Sequence, residues 1–174
     1  MPHHLSPTLL TAALLTAVLA GSPAYAQMVG YLAADAIHWN LDQGANGSAE
    51  AVGGRVSLGT HLNPRFGAEI RAAGLGSDTH HGESVSLDSA VGVYAKAIHP
   101  VTRHIRAYAL AGAAQVEISQ GGHTLEESGF SWGVGIELDA DTGGKWAIRL
   151  DHMRYLDTPD ATLEATGLGV VYRF

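Results

Sequence analysis

Three features of the sequence predict an all-β fold, an eight-stranded antiparallel up-and-down barrel that crosses a membrane. First, the closing stretch alternates: Leu168, Val170, Tyr172 and Phe174 share one parity, while Ala165, Gly167, Gly169, Val171 and Arg173 share the other. Period-two alternation marks a strand with two different faces. Second, similar runs of roughly 10–13 residues recur along the chain, and about 9–11 residues of tilted strand suffice to cross a bilayer. Third, charge falls on the lane of small residues and not on the lane of large ones. A soluble barrel does the reverse, with large side chains inside and polar ones outside.

Composition narrows the possibilities. A chain of 174 residues has room for one domain. Charged residues make up only 16%, yet mean hydropathy is close to zero, which excludes an α-helical membrane protein. The net charge of -7 argues against nucleic acid as a partner. There is no cysteine, hence no disulfide framework. Residues 1–26 differ from the rest. The apolar run Leu9 to Ala20 has the length of a signal-peptide core, and Ala24-Tyr25-Ala26 supplies a cleavage site. The expected division is therefore a signal peptide over 1–26 and a barrel domain over 27–174, although the leader carries only His3 and His4 where basic residues are usual.

Eight runs are expected, at about residues 28–39, 49–60, 65–75, 84–96, 104–117, 127–139, 145–156 and 162–174. In the first, Asp35 sits on the parity of Tyr31 and Ile37, and a bulge would restore the pattern. The second and third set Val56 and Leu58 against Arg55 and Ser57, then Phe66 and Ile70 against Glu69 and Arg71. The fourth opposes Val91 and Val93 to Asp88, Gly92 and Lys96. In the fifth, Tyr108, Leu110 and Val116 are expected outside, opposite an inner lane of Ala107, Ala109, Ala111 and Ala113 ending in Glu117. The sixth is the clearest, with Phe130, Trp132, Val134, Ile136 and Leu138 against Gly133, Gly135, Glu137 and Asp139. The seventh gives Trp146, Ile148 and Leu150 against Arg149 and Asp151. Leu62-Asn63-Pro64, residues 98–102 and residues 141–144 read as tight turns, whereas residues 40–48, 76–83, 119–126 and 157–161 read as longer polar loops. Short turns at one end and longer loops at the other is the outer-membrane pattern, and an even strand count puts both termini on the short-turn side.

The charged lane comprises Arg55, Glu69, Arg71, Asp88, Lys96, Glu117, Glu137, Arg149, Asp151 and Arg173, five acids and five bases. So even a balance among small residues implies pairing inside the barrel, because isolated buried charge is very costly. Trp39, Phe66, Tyr108, Trp132, Trp146 and Tyr155 are expected to form two aromatic girdles at the interfaces. With its leader, its eight alternating runs and its terminal Tyr172-Arg173-Phe174, the chain resembles the small OmpA/OmpX-type outer-membrane β-barrel superfamily over residues 27–174. The resemblance implies a Gram-negative outer membrane, with both termini in the periplasm. It implies Tyr172 and Phe174 as an assembly signal read by the barrel assembly machinery. It also implies contact with outer-membrane lipid and lipopolysaccharide, a monomeric state, and a structural or surface-interaction role. An eight-stranded interior is just filled by side chains, so a wide pore is not expected.

No cofactor motif is present. The ten histidines, among them His80, His81 and His123, show no metal-ligand spacing and read as loop polarity. The last hairpin resembles that of outer-membrane lipid A deacylases, with His152 and Glu164 on the lipid-facing parity as base and orienter. Arg154 stands where the resemblance calls for serine, which removes the nucleophile and favours a non-enzymatic protein. A soluble periplasmic lipocalin-like barrel that binds a small apolar ligand is the other alternative; it requires the large residues to face inward.

Overall fold

The structure, a computed structural model, describes residues 29–42, 48–74, 77–80, 83–120, 123–157 and 161–174. The expected signal peptide lies outside the described residues. Among the described residues there are nine strands: β1 Val29–Asp42, β2 Ser48–Asn63, β3 Phe66–Gly74, β4 Ser77–His80, β5 Glu83–Pro100, β6 Ile105–Gln120, β7 His123–Asp139, β8 Trp146–Asp157 and β9 Thr162–Arg173. β3 and β4 both pair with β5, the first against residues 89–97 and the second against 83–86, so together they make one stave. Counted this way the barrel has eight staves in a meander, closed by β9 pairing back onto β1. Closure leaves no open edge, which hydrocarbon would not tolerate. Two of the expected loops are partly strand: β4 falls within residues 76–83, and β6 and β7 extend through most of 119–126.

The short turns carry their own hydrogen-bond acceptors. Asn63 Oδ1 accepts the N–H groups of Arg65 and Phe66 at 2.8 and 2.9 Å. Thr102 Oγ1 accepts those of His104 and Ile105 at 3.2 and 3.0 Å. Asp141 Oδ1 accepts that of Trp146 at 2.8 Å, and Gly144 supplies the left-handed residue with φ of 67°.

Side-chain parity sorts the two faces. Large residues such as Leu58, Phe66, Phe130, Ile136, Ile148, Leu168 and Val170 are exposed on the outer wall, while Arg55, Arg71 and Arg149 are buried in the lumen. This inverts a soluble protein, where contiguous exposed apolar surface is rare. It also overturns the lipocalin-like alternative, which needs the opposite sidedness.

Two strands depart from expectation. β1 pairs with β2 without interruption from Val29 to Asp42, so no bulge forms, and Tyr31, Asp35, Ile37 and Trp39 all point inward. In β6 the expected faces are exchanged: Tyr108, Leu110 and Val116 are buried, and Ala109, Ala111 and Ala113 lie outside. Both reversals have one cause. The lumen must be filled by protein, whereas lipid chains fill any gap outside, so bulk is needed inside and alanine suffices on the wall. A register shift between Arg154 and Leu156 similarly turns Leu156 inward behind Tyr155.

Candidate functional site

The lumen is layered. At the short-turn end Tyr31, Ala33, Ala147 and Val171 form a small apolar cluster. The long-loop half is plugged by a larger one that includes Trp39, Leu41, Tyr94, Val116, Met153, Tyr155 and Leu163. A continuous ionic layer meets both and reaches the short-turn rim through Arg173, whose Nη1 also donates to Gly144 O. Arg149 Nη1 donates to Glu69 Oε1 at 2.9 Å and Nε to Asp35 Oδ1 at 3.0 Å, and a further bond joins its Nη2 to Asp35 Oδ2. Arg55 links Asp35 and Asp151 at 3.0 and 2.6 Å, and Arg71 links Glu69 and Asp151 at 2.7 and 2.8 Å. Lys96 Nζ lies 2.6 Å from Glu137 Oε1, and Glu137 Oε2 in turn lies 2.5 Å from Arg173 Nη2. Arg173 and Arg106 both grip Asp139.

Tyrosines complete the layer. The Tyr31 hydroxyl donates to Glu69 at 2.5 Å and that of Tyr108 to Asp151 at 2.9 Å. Their rings fit because Gly59 and Gly135 face them, and a Cβ at either glycine would strike the ring. Six cations (Arg55, Arg71, Lys96, Arg106, Arg149, Arg173) thus meet five carboxylates (Asp35, Glu69, Glu137, Asp139, Asp151). Each charge has at least one opposite partner, the condition under which burial is tolerable. With Trp39, Tyr31, Tyr94 and Tyr155 fully buried among the arginines, the interior is packed and contains no wide pore.

The outer wall has a polar ladder where β2, β1, β9 and β8 approach the long-loop end. Glu50 lies 3.5 Å from His38 Nε2 and accepts from Asn40 at 2.9 Å. Asn40 is the register partner of Glu164. Arg154 donates to Glu164 Oε1 through Nε at 2.9 Å and Nη2 at 2.5 Å, and to Asp157 at 3.2 Å. His152 Nδ1 is 3.1 Å from the Thr166 hydroxyl, while its Nε2 is 3.8 Å from Glu164, beyond hydrogen-bond reach.

This combination of a sealed ionic lumen, an apolar wall and closed strands agrees with the comparisons to known proteins. The outer membrane protein beta-barrel domain family matches residues 8–174. The chain belongs to that family. No curated protein matches the chain. Among solved structures, Ail of Yersinia pestis, crystallised with the heparin analogue sucrose octasulfate, superposes with a TM-score of 0.64 at 12% identity, covering 84% of this chain and 99% of Ail. Neisserial surface protein A gives 0.61 at 18% identity, covering 83% and 97%. The N-terminal barrel of Pseudomonas aeruginosa OprF gives 0.57 at 16% identity, covering 85% and 100%. At these identities the likeness is one of fold.

Within this outer membrane beta-barrel, Arg55, Glu69, Arg71, Lys96, Glu137, Arg149, Asp151 and Arg173 sit in the lumen, where the small-residue lane put them. Glu117 does not: it follows the alanine lane of β6 outward and accepts from Ser89 at 3.3 Å. The side chain of Asp88 lies outside the described residues, as do those of His80, His81 and His123. Asp35 and Arg106 are lumenal charges that the sequence pattern missed, the first hidden by an assumed bulge and the second by the exchanged faces of β6. Of the expected girdle, Phe66, Trp132 and Trp146 are on the wall. Trp39, Tyr108 and Tyr155 are corrected to lumenal positions, because filling the interior takes their bulk. Tyr172 packs on Trp146 with ring centroids 4.8 Å apart, and Phe174, exposed, donates its N–H to Gly30 O at 3.0 Å. Among the described residues, no three acidic or histidine side chains converge as metal ligands.

Proposed function

We propose that this barrel is a monomeric structural and surface-interaction component of the outer membrane, inserted with both termini in the periplasm and its longer loops outside. The observation that carries this reading is the packed ionic lumen, which leaves the rim and the wall as the surfaces available for work. Tyr172 and Phe174 act as the assembly signal for the barrel assembly machinery. Their support is position: both stand outward at the end of the strand that closes the ring. Ail was crystallised with a sulfated sugar analogue, but the long-loop end here carries Asp42, Glu50, Glu126, Glu127 and Asp157. That sign disfavours polyanions and favours cationic partners.

The test is fractionation with gel mobility. The mature protein is expected in the outer-membrane fraction with heat-modifiable migration, and vesicles containing it are expected to show no solute flux. Recovery from the soluble periplasm would overturn the assignment. The second reading, a lipid-modifying enzyme, rests on His152 beside Thr166 and Glu164. Against it, Arg154 occupies the place of the nucleophile and holds Glu164 through two nitrogens. The expected result is an unchanged lipid A mass in cells overproducing the protein.

A further inference from the structure

The cations that lack an ion-pair partner among the described residues stand at one end of this barrel. Of ten Lys and Arg residues, the six named above are lumenal and Arg154 is tied to Glu164 and Asp157. The other three, Arg65, Arg103 and Lys145, are exposed in the short turns, and none has an ion-pair partner among the described residues. Two of these turns meet across the seam between β3 and β5. Phe66 is the register partner of Ala97, and Ile98 donates its N–H to Arg65 O at 2.7 Å. Arg65 and Arg103 therefore flank His99 on one arc of the rim, with exposed His104 beside them. The nearest carboxylate in sequence pairing, Asp139, is already held by Arg106 and Arg173.

Above this arc the wall is hollowed by a groove of about 700 Å³. Ala97, Ala107 and Ala109 form its floor, and Val134, Ile136 and Leu150 its far bank. It starts at His99 and runs obliquely across β5, β6, β7 and β8 to His152 and Thr166. The hollow is made by alanine: the lane that exchanged faces in β6 continues into Ala95 and Ala97 of β5, whereas β7 and β8 carry larger outward side chains. A groove in an apolar wall is covered by a lipid chain. What distinguishes this one is its His99 end: it lies on the strand whose adjoining turns carry Arg65 and Arg103, neither ion-paired among the described residues, and a headgroup phosphate would lie there.

We propose that the groove and the cationic arc form a binding site for one anionic phospholipid, with its acyl chain along Ala107 and Ala109 and its phosphate between Arg65 and Arg103. A zwitterionic lipid brings its own ammonium to the same place and gains less from the unbalanced charge; a net anionic one gains in full. The site lies in the periplasmic leaflet, which rests on the orientation proposed above; its chemistry does not.

Native mass spectrometry of the mature chain, released from micelles holding equal phosphatidylglycerol and phosphatidylcholine, tests the site. Wild type is expected to retain phosphatidylglycerol preferentially. Arg65→Gln and Arg103→Gln are each expected to reduce that retention about fivefold without changing retention of phosphatidylcholine. Lys145→Gln, an equally free cation on another turn, should leave both unchanged. Ala109→Phe, which fills the groove from the lipid side, should lower both while heat-modifiable mobility persists. Equal retention of the two lipids by wild type, or an effect of Lys145→Gln equal to that of Arg103→Gln, would overturn the proposal. Orientation is read separately: in this cysteine-free chain, a Thr102→Cys variant is expected to resist impermeant maleimide on intact cells. Labelling there would move the site to the outer leaflet and sink the leaflet assignment alone.

Discussion

Arg149 and Arg154 stand five residues apart on β8 and make similar bonds in opposite surroundings. Arg149 faces the lumen, wholly buried, between Asp35 and Glu69. Arg154 faces outward, a third exposed, between Glu164 and Asp157. In the lumen the alternative to pairing is a charge stranded in protein, so each bond is obligatory. On the wall the side chains can reach toward headgroups and water when the pair breaks, so the same geometry is nearly optional. Ion pairs here cannot be ranked by distance; what the unpaired group would face decides.

The largest expected effect comes from breaking the buried side of that comparison. Arg149→Leu takes one of two cationic partners from Asp35 and one of three from Glu69, leaving excess negative charge buried in the lumen; a loss of about 3–5 kcal/mol is expected in urea unfolding from micelles. Arg103→Leu, on the rim, should stay within about 0.5 kcal/mol. Equal midpoints for the two would refute the contrast. Next is shape. Gly135→Val pushes a side chain into the Tyr108 ring, and overpacking of this kind costs about 1–3 kcal/mol. Gly54→Val, at an outward position with nothing within 4 Å, should be tolerated. Third, Arg154→Gln should cost no more than about 1 kcal/mol, and a cycle with Glu164→Gln should show coupling of that order or less.

The smallest effect concerns acid. The Trp146 N–H bonded to Asp141 holds that exposed carboxyl below its usual range. A lowered folded pKa means the contribution is present above the unfolded value and fades as pH falls through the folded one. Unfolding midpoints followed downward from about pH 5 should therefore decline slightly less for Asp141→Asn than for wild type. Parallel curves would show that the turn gains nothing from the charge.

The sequence was legible where the two lanes differ in chemistry. In β7, β8 and β9 charge or glycine opposes large apolar residues, so sidedness follows directly and Glu137, Arg149, Asp151 and Arg173 land in the lumen. It was illegible where the lanes differ only in size. Alanine opposes tyrosine and leucine in β6, and nothing in that alternation says which faces lipid, because lipid accepts either. The deciding fact is three-dimensional: Tyr108 can reach Asp151 only from inside. β1 failed for a related reason. Asp35 looked misplaced among Tyr31, Ile37 and Trp39 until the lumen proved to hold both an ionic layer and an apolar plug. The polar ladder was half visible, His152, Arg154 and Glu164 being near in sequence and His38 with Glu50 contributed from the other end of the chain.

The seam between β1 and β9 joins Leu32 to Tyr172, nearly the whole chain apart. A polypeptide delivered from its N-terminus presents β1 first and β9 last. Until delivery ends, β1 has an unsatisfied edge, open to pairing with any other extended chain. The ring can therefore close only as a late event, after every other stave exists, and long-range closure of this sort is slow. Substitutions that weaken the β1–β9 register should lengthen that window, and their first symptom should be a slower appearance of the folded band, with its final stability little changed.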